Sequence, residues 1–290
     1  MRKLVAVALF PACSTVVVPP DPAGGDDDGM PVFPSDGTVV PGDPAPVDSP
    51  HLALGMPTDA TPDDDFLIVH PEMAIGYGRF LNAANWVSWR TRAVDFGPVA
   101  RYPGPFYPEA ALPADWFHPD TSDMFGSGFD RGHMVRSEER TSTDAANYAT
   151  FVMSNVLPQQ ADLNRGPWFD FELYVQYKVE SSSHPHDAYM IAGPVWPAAC
   201  VTHAARTTGD GCTDVGRVAD PTHRIAVPTA TWKVVVLVEP GEDPRHAAAP
   251  YVVAVMMPNT TGIANERWYT YRTTVAEIEA ATGYDLPSLE

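Results

Sequence analysis

The chain has 290 residues, 44% of them hydrophobic, and a formal net charge of −19. That length holds one large domain or two small ones and can bury a substantial core. The acidic balance excludes a broad electrostatic grip on phosphates, so any anion binding must be local.

The chain opens with Met1-Arg2-Lys3, an apolar run over residues 4–10, and then Pro11-Ala12-Cys13. A basic start, a short apolar stretch and a small residue before a cut read as a secretory signal over residues 1–13. Cys13 stands where a bacterial lipoprotein carries its lipidated cysteine, although Phe10 and Pro11 depart from the usual leucine and small residue. An ordinary short signal and a misassigned start codon are the alternatives. The expectation is an exported chain, periplasmic, secreted or tethered to the envelope membrane through Cys13. No later apolar run approaches the roughly 18 residues of a membrane span.

Residues 14–65 are dominated by Pro, Asp, Gly, Val and Ser, as in PPDPAGGDDDG and VPGDPAPVDSP. Eleven of the 37 acids but only two of the 18 bases lie in residues 1–65. Such a composition cannot bury enough apolar surface to offset its ordering entropy, and it reads as a disordered acidic linker.

A folded domain is expected over residues 66–290. FLIVHPEMAIGYGRF and ANWVSWRTRAV have strand patterns, with a turn at Asn82-Ala83-Ala84-Asn85 between them. Residues 102–128 are rich in Pro, Gly, Asp and aromatics and read as a long surface loop. TDAANYATFVMSN begins with cap residues and predicts a short helix. ADLNRGPWFDFELYVQYKVE predicts the main helix, with Asp162 as its cap and Pro167 in or near its first turn. AYMIAGPVW, HRIAVPTATWKVVVLVE and YVVAVMMPN predict strands, and TVAEIEAATGYDLP predicts a short helix closed by Gly283. Strands and helices mix without a regular βαβ repeat, which makes α+β the expected class. Cys200 and Cys212 most simply form a disulfide in an exported protein. The intervening His203 leaves a Cys/His metal site as the alternative, though no CxxC pair accompanies it.

The chemistry concentrates around Asp130-Arg131-Gly132-His133. Downstream lie Ser154-Asn155-Val156-Leu157-Pro158-Gln159, then Leu163-Asn164-Arg165-Gly166-Pro167-Trp168, then Glu172. On one continuous helix Asn164, Trp168 and Glu172, four apart, would share a face. A core face would not choose Asn and Glu, and a solvated face would not choose Trp, so the mixture suggests the wall of a site. The set is too poor in His, Cys and carboxylates for a zinc or two-metal centre. It suits one hard cation that keeps most of its waters. A neutral histidine can take a proton from water near pH 7, and arginines can hold a phosphate through paired hydrogen bonds. Together these describe metal-assisted phosphodiester hydrolysis.

DRGH followed by SNxxPQ, LNRGPW and Glu172, in that order, resembles the DNA/RNA non-specific endonuclease family, with its Serratia-type and endonuclease G branches. The resemblance implies the ββα-metal, or His-Me finger, fold, with a central, mainly antiparallel sheet flanked by helices. It implies that His133 is the general base and Asn164 the direct protein ligand of Mg²⁺, for which Mn²⁺ is an alternative. Glu172 would hold a metal-bound water, and Arg131 would orient the phosphate or the site. Arg101 matches the arginine that stabilises charge on phosphorus, and Asp130 an anchor of the loop. Asn155 and Gln159 would support the site's geometry. Arg136, Arg140 and Arg165 would supply local positive surface.

Two departures stand out. Many relatives carry an arginine four residues after the metal-side glutamate, where this chain has Gln176, and this chain has Val135-Arg136 soon after the DRGH motif. The resemblance implies hydrolysis of DNA and RNA with little sequence preference and 5′-phosphate products. The resemblance also allows a homodimer, and the tether allows a surface lipoprotein acting as a toxin, with an inhibitor or immunity protein as its partner. A catalytically inactive nucleic-acid-binding relative and a different phosphohydrolase are the rival readings.

Overall fold

In a computed structural model, residues 49–181 and 183–287 are described. The expected signal over residues 1–13, with Cys13, and residues 14–48 of the expected linker lie outside the described residues. In chain order the elements begin with β1 (Asp65–Val69), β2 (Ala74–Gly78), β3 (Ala83–Thr91) and β4 (Asp130–His133). They continue with α1 (Asp144–Ala149), β5 (Val156–Gln159), α2 (Ala161–Asn164), α3 (Pro167–Glu180) and β6 (Asp187–Val195). The C-terminal part adds β7 (Asp214–Val215), β8 (Ile225–Ala226), β9 (Ala230–Val238), β10 (Tyr251–Pro258), β11 (Arg272–Thr273) and α4 (Val275–Thr282).

Seven strands form the central sheet in the order β1-β2-β3-β6-β9-β10-β11. Every neighbouring pair in it is antiparallel. The sheet is covered on both faces, which is why β9 reads as a nearly unbroken apolar run. Along β9, Val235 and Leu237 join the core beneath α3, with Trp168, Phe171 and Val175. Val234, Val236 and Val238 join the opposite core with Trp86, Ile278 of α4 and Tyr284. The period of two thus sorts one strand between two layers. The class is α+β, as the residue pattern predicts.

On the α3 side, β4 and β5 make a separate antiparallel pair with Asp130 opposite Gln159 and His133 opposite Val156. The chain then enters α2 and α3, completing a ββα unit against the large sheet. α4 starts with a Thr274/Glu277 capping box and ends at Gly283, whose φ of 82° is the left-handed conformation glycine tolerates.

Four expectations need correction. The folded part begins before residue 66: His51 and Leu54 are buried, and Ser88 Oγ donates to the His51 carbonyl at 2.6 Å. Prolines and acids around these residues masked the few side chains that dock. The expected turn at residues 82–85 lies instead at residues 79–82, with Asn82 at a φ of 54°, while Ala83, Ala84 and Asn85 belong to β3. The main helix is broken into α2 and α3 at residues 165–166. Pro167 has no N–H to continue a helix, and Gly166 adopts φ −103°, ψ −115°. A Cβ on Gly166 would lie 2.3 Å from the Asp162 carbonyl, so only glycine fits this corner. Asp162 is not the cap. Gln160 holds that position, and Asp162 instead accepts from Gly262 N at 2.6 Å.

Candidate active site

His133 ends β4, and its ring lies between two aromatic rings, with centroids 4.8 Å from Phe106 and 5.0 Å from Phe151. Nε2 is enclosed without a hydrogen-bond partner. Burial pushes the imidazole down to about 3, and the positive charges of Arg101 and Arg131 push the same way. The ring is therefore neutral at physiological pH and able to accept a proton. Arg101 stacks 4.7 Å over Phe151 and Arg131 5.5 Å over Phe106, so both guanidiniums lie against the aromatic walls of His133.

Three residues before His133, Asp130 ties β4 to the end of α2. It accepts from Asn164 Nδ2 at 3.0 Å and from Arg165 Nε and Nη2 at 2.8 and 2.6 Å. Burial works to raise this carboxylate, but the bonds from Arg165 and Asn164 hold it below its ordinary range. The Asn164 amide is thereby oriented: its nitrogen is spent on Asp130, and its oxygen remains as a neutral hard ligand. Arg165 is the exposed member of this trio, with its charge engaged by Asp130.

Glu172, on α3, is buried. Burial pushes it up to about 7, against the attraction of Lys233 and Arg136. Lys233 Nζ lies 3.8 Å from one carboxylate oxygen and Arg136 Nε 3.6 Å from the other. Arg136 is clamped further by a 2.8 Å bond from Nη1 to Gln176 Oε1 and by stacking 5.1 Å over Phe169. Position 176 thus carries an acceptor that holds the guanidinium supplied from position 136.

Trp168 and Arg140 lie elsewhere than expected, and the contacts of Asn155, Gln159 and the two cysteines are defined. Trp168 is a core side chain, 4.2 Å from Lys233 Nζ at the ring centroid, rather than an open site wall. Asn155 spends its amide on the backbone, accepting from Val135 N and donating to the Val135 and Thr150 carbonyls at 2.9–3.0 Å. It shapes the chain that follows His133. Gln159 is buried under β4, donates to Thr231 Oγ1 at 3.2 Å, and lies where any Cβ on Gly132 would clash. Arg140, expected as surface charge, is buried, because it pairs with Glu72 at 2.7 Å and donates to the carbonyls of Glu72, Arg90 and Glu139. Cys200 and Cys212 are bridged, with Cα atoms 4.7 Å apart.

Lys233 is the residue that the sequence reading missed. It sits in the run TWKVVVLVE, where period-two reading takes a lysine as an outward, solvated position. A lysine at the centre of an otherwise unbroken buried strand is itself the available signal.

The donor set fits one hard cation. An amide oxygen left without a partner and a carboxylate are the hard oxygen donors that suit an ion keeping much of its hydration shell. Among the described residues, no three His, Cys, Asp or Glu side chains gather into a metal-binding group of the zinc or two-metal kind.

A ββα unit carrying a buried histidine, an oriented asparagine and a buried carboxylate beside arginines is the candidate active site. The chain belongs to the DNA/RNA non-specific endonuclease family, whose model matches residues 50–289. It is 35% identical over 251 residues to a nuclease of Nostoc sp., covering 84% of this chain and 82% of that protein. It is 33% identical over 116 residues to the mitochondrial endonuclease G of Homo sapiens, covering 40% of this chain and 36% of that one. The fold is similar to that in a crystal structure of the EndoG/EndoGI complex, described as the mechanism of EndoG inhibition. That match has a TM-score of 0.66 and 19% identity over 83% of this chain and 91% of the other.

Proposed function

We propose that this chain is a metal-dependent endonuclease that hydrolyses phosphodiester bonds of DNA and RNA with little sequence preference. The observation that carries the reading is the neutral His133 flanked by Arg101 and Arg131 at the head of a ββα unit whose Asn164 oxygen is free. Backbone-directed contacts are the physical source of low sequence specificity.

The residues divide the work as follows. His133 Nδ1, the ring nitrogen not enclosed, takes a proton from the attacking water. Arg101 and Arg131 hold the phosphate oxygens as charge builds on phosphorus. Burial depresses His133 most and the two guanidinium charges add to it, so a bound phosphate, by offsetting those charges, raises the imidazole part of the way toward a more effective base. The oxygen of Asn164 would hold Mg²⁺, or Mn²⁺ in its place, and Glu172 would hold one of its waters. When bound, such an ion polarises the phosphate and stabilises the leaving 3′ oxygen. Water adds to phosphorus, the P–O3′ bond breaks with its electron pair left on O3′, which takes a proton from a solvent water, and the products carry a 5′-phosphate and a 3′-hydroxyl.

We infer export for this chain from the expected signal, with attachment through Cys13 as one form. A homodimer is a further expectation to be tested by sedimentation. A protein inhibitor covering the arginine-lined site is a partner suggested by the EndoG/EndoGI likeness.

The test is digestion of plasmid DNA and of RNA by the purified protein, with and without EDTA, beside His133→Ala. Cleavage that EDTA stops and that His133→Ala loses supports the proposal. An equally fast His133→Ala variant of unchanged fold refutes the base assignment.

A further inference from the structure

We infer that the Glu138 carboxylate is an internal stand-in for a backbone phosphate, held between Arg101 and Arg136 and displaced when nucleic acid binds. Arg136 Nε lies 3.1 Å from Glu138 Oε2, and Arg101 Nη1 lies 3.7 Å from Oε1. Ser137 Oγ donates to Oε2 at 3.0 Å and accepts from Arg101 Nη1. One anion thus offers each of its two oxygens to a different guanidinium, as two non-bridging oxygens of a phosphodiester would. The subsite adjoins His133, because Phe151 carries Arg101 on its face and packs against the imidazole. The inference rests on the reading of this site as a nuclease.

The asymmetry of restraint marks Glu138 as the removable member. Arg136 is 11% exposed at its side chain and stays fixed by Gln176, Glu172 and Phe169 without Glu138. Arg101 is fixed by Phe151 and Ser137. The Glu138 side chain is 40% exposed. Its exposed ion pairs are weak and exchangeable, whereas a phosphate shared by two arginines gains charge-assisted hydrogen bonds to both. In a chain of net charge −19, such local pairing keeps the arginines engaged until a stronger anion arrives. Glu138 is then a residue that sets substrate affinity without touching the reacting atoms.

The experiment uses the purified full chain and its Glu138→Gln variant. It measures steady-state cleavage of an oligonucleotide in saturating Mg²⁺ at low salt, and titrates inorganic phosphate by calorimetry. KM and the phosphate dissociation constant should both fall about three- to fivefold, with kcat held within about twofold, as expected from the loss of an exposed competing pair. The double variant Glu138→Gln/Arg136→Gln should lose that gain. If the parent cuts and Glu138→Gln, with an unchanged thermal midpoint, binds substrate and phosphate no more tightly, the proposal is overturned. If Glu138→Gln melts lower, Glu138→Ser replaces it under the same criteria. If the parent cuts neither DNA nor RNA, the nuclease reading fails, and the phosphate titration alone decides the subsite.

Discussion

Asn164 and Asp130 are joined by a 3.0 Å hydrogen bond from Nδ2 to Oδ2 that crosses from the end of α2 to the start of β4. The bond selects which end of the amide faces the site, and Arg165 secures Asp130 from the other side. Partners that orient a metal ligand in this way are worth about ten- to a hundredfold in metal affinity. Asp130→Ala should therefore raise the Mg²⁺ concentration for half-maximal cleavage by at least about tenfold. Much of kcat should return at saturating metal. A metal titration that overlays that of the parent would show that Asp130 does not set the orientation of Asn164.

Lys233 and Glu172 form a buried pair at 3.8 Å, with Arg136 on the far side of the carboxylate. Burial lowers the Lys233 ammonium, while Glu172 and Glu139 support it. Removing Lys233 leaves the buried Glu172 with Arg136 as its one remaining near cation, at a cost approaching the about 3–5 kcal/mol of a broken buried pair. Lys233→Met should lose stability of that order in urea unfolding. Lys233→Met/Glu172→Gln should recover more than half of it, because neither charge remains buried. A double variant less stable than the single one would show that the loss comes from packing against Trp89 and Trp168 rather than from charge.

These two relationships show what was legible in the chain and what was not. His133, Asn164 and Glu172 stand in a short ordered pattern with residue types that only a few chemistries use, so local reading finds them. Lys233 lies far along the chain and meets Glu172 only because β9 pairs beside β6 and α3 covers that face. Pairings at that sequence distance leave no local trace. Gly166-Pro167 is visible as a proline near a helix start, yet part of what reserves the corner for glycine is the backbone of Ala264, which a Cβ there would strike and which only tertiary structure brings close. The early start of the fold at His51 and Leu54 was hidden for a related reason. A few docking side chains in a Pro- and Asp-rich segment do not alter its composition. Arg136 and Gln176 appear in the sequence as two unrelated departures, and in space they are one hydrogen bond.

Arg140 separates stability from substrate binding. It is buried and pairs with Glu72, and it bonds to Thr91 Oγ1 as well as to three carbonyls. A lysine cannot reproduce the planar fork that satisfies these acceptors. Arg140→Lys should cost about 2–4 kcal/mol, since several buried acceptors lose their donors. At a temperature where it remains folded, its KM for nucleic acid should match that of the parent. A raised KM with unchanged stability would return Arg140 to the substrate surface.

The buried imidazole of His133 should also be visible in how stability depends on pH. Burial, Arg101 and Arg131 hold it at about 3 in the folded chain, below its ordinary 6.5. A depressed folded-state value means that protons bind the unfolded chain more readily. The neutral ring's contribution is thus fully present above 6.5 and is lost as pH falls toward 3. At about 1.4 kcal/mol per unit, the shift corresponds to at most roughly 5 kcal/mol, reduced by any relaxation of the site. His133→Asn removes the titration while keeping a polar side chain. His51 and Glu172, also perturbed by burial, are common to both proteins and cancel in the comparison. The stability advantage of the parent over His133→Asn should therefore shrink steadily between pH 6.5 and pH 3 in urea unfolding at matched ionic strength. Parallel curves across that window would mean that the imidazole is solvated like an ordinary histidine, and that its neutrality at physiological pH owes nothing to Arg101, Arg131 or the aromatic walls.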